Sequence, residues 1–242
     1  MKILGVIPAR WASTRFPGKP LKKIMGKPML HWVWEQTKKS SVLTELIVAT
    51  DDNRIANYCS ENSLDVIMTS KLHPTGSDRL AEVAEKISAD IYVNVQGDEP
   101  LIEPNSIDAV ANCLLEAMEG GIELSTGYIE KASADQLEDP SVVHLVPSLD
   151  GCVISFSRFP TPYPFVEEMQ RTVHVGLYAF TRKALHLFAK LERGPVERSE
   201  SVEVIRYLEH GYRIACVPVS PGSFGVDTPE DLAKVEAIMG DK

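Results

Sequence analysis

Lys2-Ile-Leu-Gly-Val-Ile-Pro-Ala-Arg10 runs directly into Trp11-Ala-Ser13-Thr14-Arg15-Phe-Pro17-Gly18-Lys19-Pro20. Ile3–Ile7 is a short, uninterrupted apolar run, the pattern of a strand buried on both faces. The loop behind it is cationic. Residues 1–34 hold seven Lys or Arg and no Asp or Glu, while the rest of the chain holds 18 basic and 34 acidic side chains. A chain of net charge −9 therefore opens on a local excess of positive charge. A cationic loop at the end of a buried strand is a place for a polyanion, and a nucleoside triphosphate is the first candidate.

Working outward, strand-like and helix-like stretches alternate. Met29–Lys38 has helical character, Glu45–Ala49 reads as a strand, and Arg54–Ser60 reads as a helix. Val66–Met68 is a short strand. Arg79–Ile87 places Leu80, Val83, Ala84 and Ile87 on one helical face. Ile91–Val95 is a further buried strand, and Ser106–Met118 a further helix. This alternation predicts an α/β fold with a mostly parallel, doubly wound sheet of Rossmann-like type. Ligands in such sheets bind beyond the carboxyl ends of the strands. The cationic loop, Asp51-Asp52 and Gln96-Gly-Asp98-Glu99 all follow strands and should converge there.

The texture changes near residue 122. Glu123–Ile129, Val142–Pro147, Cys152–Phe156 and Val173–Phe180 read as strands with few helices between them. Arg158-Phe-Pro160-Thr-Pro162-Tyr-Pro164 is a rigid, non-helical segment. Leu185–Lys190 and Val202–His210 read as helices, Arg213–Val217 as a strand, and Phe224–Asp227 leads into a last helix. The expectation is one domain over 1–242, with an antiparallel extension over about 122–182.

Composition limits the function. The overall acidity argues against a nucleic-acid partner, which usually needs a basic face. Cys59, Cys113, Cys152 and Cys216 form no CxxC pair, so they read as reduced core thiols rather than a zinc site or a disulfide framework. Only seven uncharged residues separate Lys2 from Arg10, too few for a signal peptide. No apolar run approaches the roughly 18 residues of a membrane span. A cytoplasmic protein without a membrane partner is the expectation.

Three places carry chemistry. The loop Arg10–Pro20 is neither a Walker A sequence nor GxGxxG. Yet Arg10, Arg15 and Lys19 suit phosphate oxygens, and Ser13, Thr14 and the N–H groups near Gly18 can cradle them. A solvated basic loop is the plainer alternative. Asp98, behind a buried strand, suits Mg²⁺, which typically takes one or two protein carboxylates plus substrate phosphates; a turn or cap residue is its alternative. Near the end, Pro229 fits the first helical position, with Thr228 as N-cap and Asp231 as its capping partner. That leaves Asp227 for chemistry, unless Asp227 is itself the cap. Asp51-Asp52 suits a helix cap better than a metal. Arg79 in His73–Arg79 can reach a base or phosphate, or pair with Asp78. His174 lies on a strand, where a structural histidine is the commoner case. No spacing points to a covalent nucleophile.

Taken in order, Ile7-Pro-Ala-Arg10, Ser13-Thr-Arg15, Pro17-Gly-Lys-Pro20, Gly26-Lys-Pro-Met29, His73–Arg79, Asn94-Val-Gln-Gly-Asp-Glu-Pro100, Ser157-Arg158, His174-Val-Gly176 and Gly225-Val-Asp-Thr-Pro-Glu-Asp231 resemble the 3-deoxy-manno-octulosonate cytidylyltransferases, or CMP-Kdo synthetases. The resemblance spans essentially the whole chain. It implies transfer of CMP from CTP to the anomeric hydroxyl of a 3-deoxy-octulosonic acid, with release of pyrophosphate. The product feeds the lipopolysaccharide inner core. By motif, Ala9, Arg10, Ser13, Arg15 and Lys19 belong to the triphosphate site, and Thr75, Arg79 and Gln96 to the cytidine site. Asp98 and Asp227 are implied as Mg²⁺ ligands, with Arg10 and Lys19 beside them in catalysis. Arg158, His174, Tyr178, Glu203 and the Val204 position are implied in the sugar site. A homodimer is implied as well.

The chain departs from the family pattern in the sugar half. Val202-Glu-Val204-Ile-Arg206 stands where Leu-Glu-Gln-Leu-Arg is usual, and Val204 lacks the amide that Gln would offer a sugar hydroxyl. His144, Ser155 and Phe180-Thr181 also depart. An altered octulosonate, such as the 8-amino-3,8-dideoxy sugar, is the expectation these changes raise. Glu200 or Glu203 would then face its ammonium. Rival readings are a nucleotidyltransferase acting on sialic acid or a sugar 1-phosphate, and a non-catalytic nucleotide-binding protein.

Overall fold

A computed structural model describes residues 1–12, 16–167, 169–221 and 225–240. The first strand, β1 (Ile3–Ala9), lies in mid-sheet, which is why its apolar run does not alternate. A hairpin follows, β2 (Lys23–Ile24) and β3 (Lys27–Pro28), turning through positive φ at Met25 and Gly26. Then come α1 (Met29–Thr37), β4 (Glu45–Thr50), α2 (Asn53–Glu61), β5 (Val66–Met68), α3 (Gly76–Lys86), β6 (Ile91–Asn94) and α4 (Pro104–Ala117). The rest is β7 (Leu124–Ile129), α5 (Ala134–Glu138), β8 (His144–Pro147), β9 (Val153–Ser157), β10 (Thr172–Thr181), α6 (Arg182–Phe188), α7 (Pro195–Glu200), α8 (Ile205–Glu209), β11 (Ala215–Pro218) and α9 (Pro229–Gly240).

The central order is β11-β7-β10-β6-β1-β4-β5. The pairs β1–β4, β1–β6, β4–β5 and β7–β11 are parallel, whereas β10 runs antiparallel to both β6 and β7. The expected mostly parallel sheet is thus present, with β10 as the reversed strand. The expected antiparallel extension is present in the pairs β7–β10, β8–β10 and β8–β9. β7 and β10 pair along both halves of β10 in the central order, and β8 and β9 branch from it through the β8–β10 pair. A run of apolar residues says strand but not strand direction.

One core lies on each face of the sheet. Leu4, Val6, Leu80, Val83, Tyr92, Phe180, Phe188 and Tyr207 build one; Ile3, Ile7, Val33, Val48, Ile91, Val93 and Ile107 build the other. A small third cluster of Ile24, Met29, Val226 and Val235 packs the hairpin and α1 against α9. The cysteines carry free thiols; Cys59, Cys152 and Cys216 are buried and Cys113 half-buried. Among the described residues, no helix is long and apolar enough to cross a membrane.

Helix ends follow the local sequence. Asp52 caps α2 by accepting the Arg54 N–H at 2.9 Å, so it serves as a cap. Thr75 caps α3, and Thr228 caps α9 with Asp231 as reciprocal partner. The helix read over Val202–His210 is confined to Ile205–Glu209, because the turn before it closes by three-residue hydrogen bonds, from the Ile205 N–H to the Val202 carbonyl and the Arg206 N–H to the Glu203 carbonyl. α7 was not read from the sequence, although Gly194-Pro195 is a helix-start signal.

Candidate active site

Parallel strands bring their carboxyl ends to one rim. β1 delivers Arg10, β4 delivers Asp51, and β6 delivers Gln96 and Asp98. Pro8 fits inside a central strand because β6 pairs with β1 only as far as Val6–Asn94. Beyond that point no ladder hydrogen bond needs its missing N–H. Gly97 fills the space this leaves: a Cβ there would stand 2.6 Å from the Pro8 carbonyl oxygen. The close approach of those two backbones sets where Asp98 emerges.

Gly18, in the left-handed region at φ 69°, starts the one-turn 3₁₀ helix Lys19–Leu21 that carries Lys19. The Lys19 ammonium donates to Asp98 Oδ2 at 2.7 Å and Asp227 Oδ1 at 3.0 Å. Burial opposes its charge, but attraction and hydrogen bonds from the two carboxylates outweigh this and raise its pKa. Asp227 arrives on the segment before α9, whose Val226 N–H donates to the Asp98 carbonyl at 2.9 Å. Capping by Thr228 and Asp231 leaves the Asp227 carboxylate directed at Lys19 rather than at the helix.

A cavity of about 860 Å³ opens at this rim, lined by Thr75, Gln96, Asp98, Glu99, Arg158, His174, Gly176, Tyr178, Glu203 and Asp227 among others. The strand β10 supplies His174 and Tyr178 through an irregularity against β7 between Val175 and Tyr178. Thr126 fills that irregularity, donating to the Leu177 carbonyl at 3.0 Å and sharing a 3.1 Å hydrogen bond with His174 Nε2. The two rings stack with centroids 5.5 Å apart. Burial and the nearby Arg158 charge lower the His174 pKa to about 3, so the imidazole is neutral at neutral pH. Burial, with Glu203 and Glu99 nearby, raises the Tyr178 pKa well above its ordinary value and keeps its hydroxyl protonated. Gly176 faces Gln96, where a Cβ would meet Gln96 Cγ at 3.2 Å.

Glu203 holds the start of α3. Its carboxylate accepts from Ser77 N at 3.0 Å and Ser77 Oγ at 2.9 Å, with Asn94 Nδ2 at 3.4 Å. Glu200 holds Arg158 instead: its carboxylate accepts the Arg158 N–H at 2.8 Å, and its carbonyl accepts Nε at 2.6 Å. Arg158 Nη1 is taken by the carbonyls of Ser141 and Pro140. Arg10 reaches the Pro74 carbonyl at 3.3 Å, and its pKa is lowered by burial and by the Arg79 charge.

Several expected site residues stand elsewhere. Val204 is 0% exposed and packs in the core with Tyr178, Ile205 and Tyr207; it does not line the cavity, because its position at the start of α8 turns the side chain inward. Arg79 is also fully buried. It pairs with Asp51 at 2.7 Å and with Thr69, not with Asp78. Ala9 is buried at the end of β1. Ser13 and Arg15 lie outside the described residues. Asp78 is instead bound by Arg206, which also pairs with Glu197 at 2.8 Å. Sequence reasoning missed this buried network. The signal was present: an arginine among apolar residues in Val204-Ile-Arg206-Tyr-Leu208 must find carboxylates if it is buried.

Comparisons with known proteins identify the family. Residues 4–214 match the family model described as cytidylyltransferase. The 3-deoxy-manno-octulosonate cytidylyltransferase of Geobacter metallireducens is 46% identical over 97% of this chain and 96% of its own length. The mitochondrial enzyme of that name from Arabidopsis thaliana is 39% identical over 100% of this chain and 84% of its own. A solved CMP:2-keto-3-deoxy-manno-octonic acid synthetase in complex with CTP is 38% identical, with a TM-score of 0.91 over 100% of this chain and 99% of that one. An inositol-1-phosphate CTP transferase from T. maritima, at 12% identity and a TM-score of 0.69, shares the fold. By its sequence, along nearly its whole length, the chain belongs to the cytidylyltransferase family, among the 3-deoxy-manno-octulosonate cytidylyltransferases.

Proposed function

We propose that the protein transfers CMP from CTP to the anomeric C2 hydroxyl of a 3-deoxy-octulosonic acid. The hydroxyl oxygen forms a bond to the α-phosphorus, the α–β bridging bond breaks, pyrophosphate leaves, and the hydroxyl proton is released. The observation that carries this reading is Asp98 and Asp227 converging on one cation, Lys19, at the mouth of the cavity.

That arrangement fits Mg²⁺. Two carboxylates from distant segments already share a positive charge. Among the described residues no group of three or more His, Cys, Asp or Glu could hold a metal. A pair of protein carboxylates completed by substrate oxygens is what Mg²⁺ uses in such sites. Bound there, Mg²⁺ would act as a Lewis acid on the phosphate and the attacking hydroxyl. Arg10 and Lys19, with Ser13 and Arg15, take up charge on the leaving pyrophosphate. Thr75, Gln96 and Arg79 make up the cytidine side, with Arg79 acting through Asp51 and Thr69. Arg158, His174, Tyr178 and Glu203 form the sugar side. His174, neutral and bonded to Thr126, orients rather than carries a proton.

The finer proposals rest on separate observations. Ile154, Phe159, Tyr163, Phe165 and Val166 expose large apolar side chains around β9 and the segment after it, which suits a second copy of the chain in a homodimer. The free thiols suit a reducing compartment, the cytoplasm. The acceptor is ordinary octulosonate or its 8-amino-3,8-dideoxy form, and its product would serve lipopolysaccharide synthesis. Pyrophosphate release with CTP, Mg²⁺ and a panel of sugar acids tests the reading. Release is expected with an octulosonate and not with sugar 1-phosphates. Silence on every acid while CTP still binds would overturn it.

A further inference from the structure

Lys19 stands where the proposed cation would stand. Its ammonium is 2.7 Å from Asp98 and 3.0 Å from Asp227, and its side chain is 12% exposed. The position is held by the backbone. The Lys19 N–H donates to the Phe16 carbonyl, the Leu21 N–H donates to the Gly18 carbonyl, and Val226 ties the Asp227 segment to Asp98. A divalent cation approaching both carboxylates therefore meets a fixed positive charge between them. Repulsion at such distances, in a partly buried site, is strong. The ammonium must leave before the carboxylates can both turn to a metal, and it needs another anion to leave for. A triphosphate on the cationic loop is that anion.

We propose that Lys19 is a resident counter-ion that keeps the carboxylate pair closed to divalent cations until a triphosphate draws the ammonium away. The inference rests on the proposed cytidylyltransferase reading of this site. Nucleotide and cation then bind with positive coupling, and by linkage each raises the affinity for the other equally. The device keeps the metal from settling in the nucleotide-free protein. It also makes the carboxylates compete with the triphosphate for Lys19 whenever metal is absent.

Two measurements test this without turnover. Mn²⁺ binding to nucleotide-free protein, read by electron paramagnetic resonance, should be weak in the wild type and about tenfold tighter in Lys19→Gln. CTP binding in EDTA, read by calorimetry, should be about tenfold tighter in Asp98→Asn than in the wild type, because the ammonium has lost one of its two holders. Unchanged Mn²⁺ affinity in folded Lys19→Gln overturns the proposal, and so does unchanged CTP affinity in Asp98→Asn. The second variant serves even where the first is unstable. If wild-type protein releases pyrophosphate with an octulosonate while both affinities stay unchanged, the counter-ion role alone has failed. If it binds no CTP at all, the functional reading has failed.

Discussion

Arg206 Nη1 lies 2.8 Å from Asp78 Oδ1, joining α8 to the first turn of α3 across 128 residues of chain. The same guanidinium pairs with Glu197 and sits 4.1 Å from the Phe188 ring centroid. Burial opposes its charge, but the two carboxylates outweigh this and raise its pKa. Asp78 in turn accepts from Thr75 Oγ1 at 2.6 Å, so the network ends on a residue lining the cavity.

Arg206→Met should therefore destabilise the protein by about 3–5 kcal/mol, because the buried Asp78 carboxylate would lose its cation and Glu197 would keep only Arg193. Urea unfolding measures this. A loss below about 1 kcal/mol would mean that the network contributes little to the fold.

Gly97→Ala should damage the site more than the fold. The added Cβ would lie 2.6 Å from the Pro8 carbonyl, and backbone must move to accept it. Overpacking of this kind costs about 1–3 kcal/mol, and the movement displaces Asp98. A fall in kcat/KM of more than about tenfold is expected, with near-native circular dichroism. Wild-type kinetics would show that the close approach does not set the carboxylate.

Val204→Gln tests which surroundings that residue has. It is fully buried in the core, so the new amide would enter without a partner. A stability loss of about 1–3 kcal/mol is expected, without tighter octulosonate binding. Calorimetry showing a gain in sugar affinity at unchanged stability would instead return Val204 to the cavity wall.

Stability should decline with acid from about pH 6.5 downward. Burial depresses the pKa of His144, and depresses that of His174 to about 3. Above 6.5 both are neutral in the folded and the unfolded chain. Below it the unfolded chain gains protons that the folded chain refuses, at up to about 1.4 kcal/mol per pH unit for each histidine. For His174 this continues until about pH 3. Guanidinium unfolding between pH 7 and 5 should show a shallower slope in His174→Phe than in the wild type; equal slopes would contradict it.

The parallel sheet was legible because its strands are short apolar runs separated by capped helices, a local pattern. The cavity rim was legible for the same reason: Arg10, Gln96 and Asp98 lie within a few residues of strand ends, where the topology must gather them. Asp227 could be read because Pro229 and Thr228 fixed the helix start beside it. What stayed hidden depends on contacts between distant segments. No spacing reveals that Arg79 turns to Asp51 rather than Asp78, or that Val204 faces inward. The antiparallel sense of β10 was legible in the change of texture near residue 122, whereas the parallel pairing of β7 with β11 was not.

That reversed strand has an evolutionary consequence. Arg10, Gln96 and Asp98, proposed for the nucleotide and its metal, follow strands that run toward the rim, whereas His174 and Tyr178 sit on a strand of the opposite sense, joined to β8 and β9. In the proposed reading, Arg158, His174 and Tyr178 thus share β9, β10 and the segment joining them, while Glu203 arrives from the segment before α8. Changes in β8, β9 and their connections can therefore reshape that wall of the cavity while the ladder β6-β1-β4-β5 keeps its register. A fold wired this way can keep one donor and explore many acceptors.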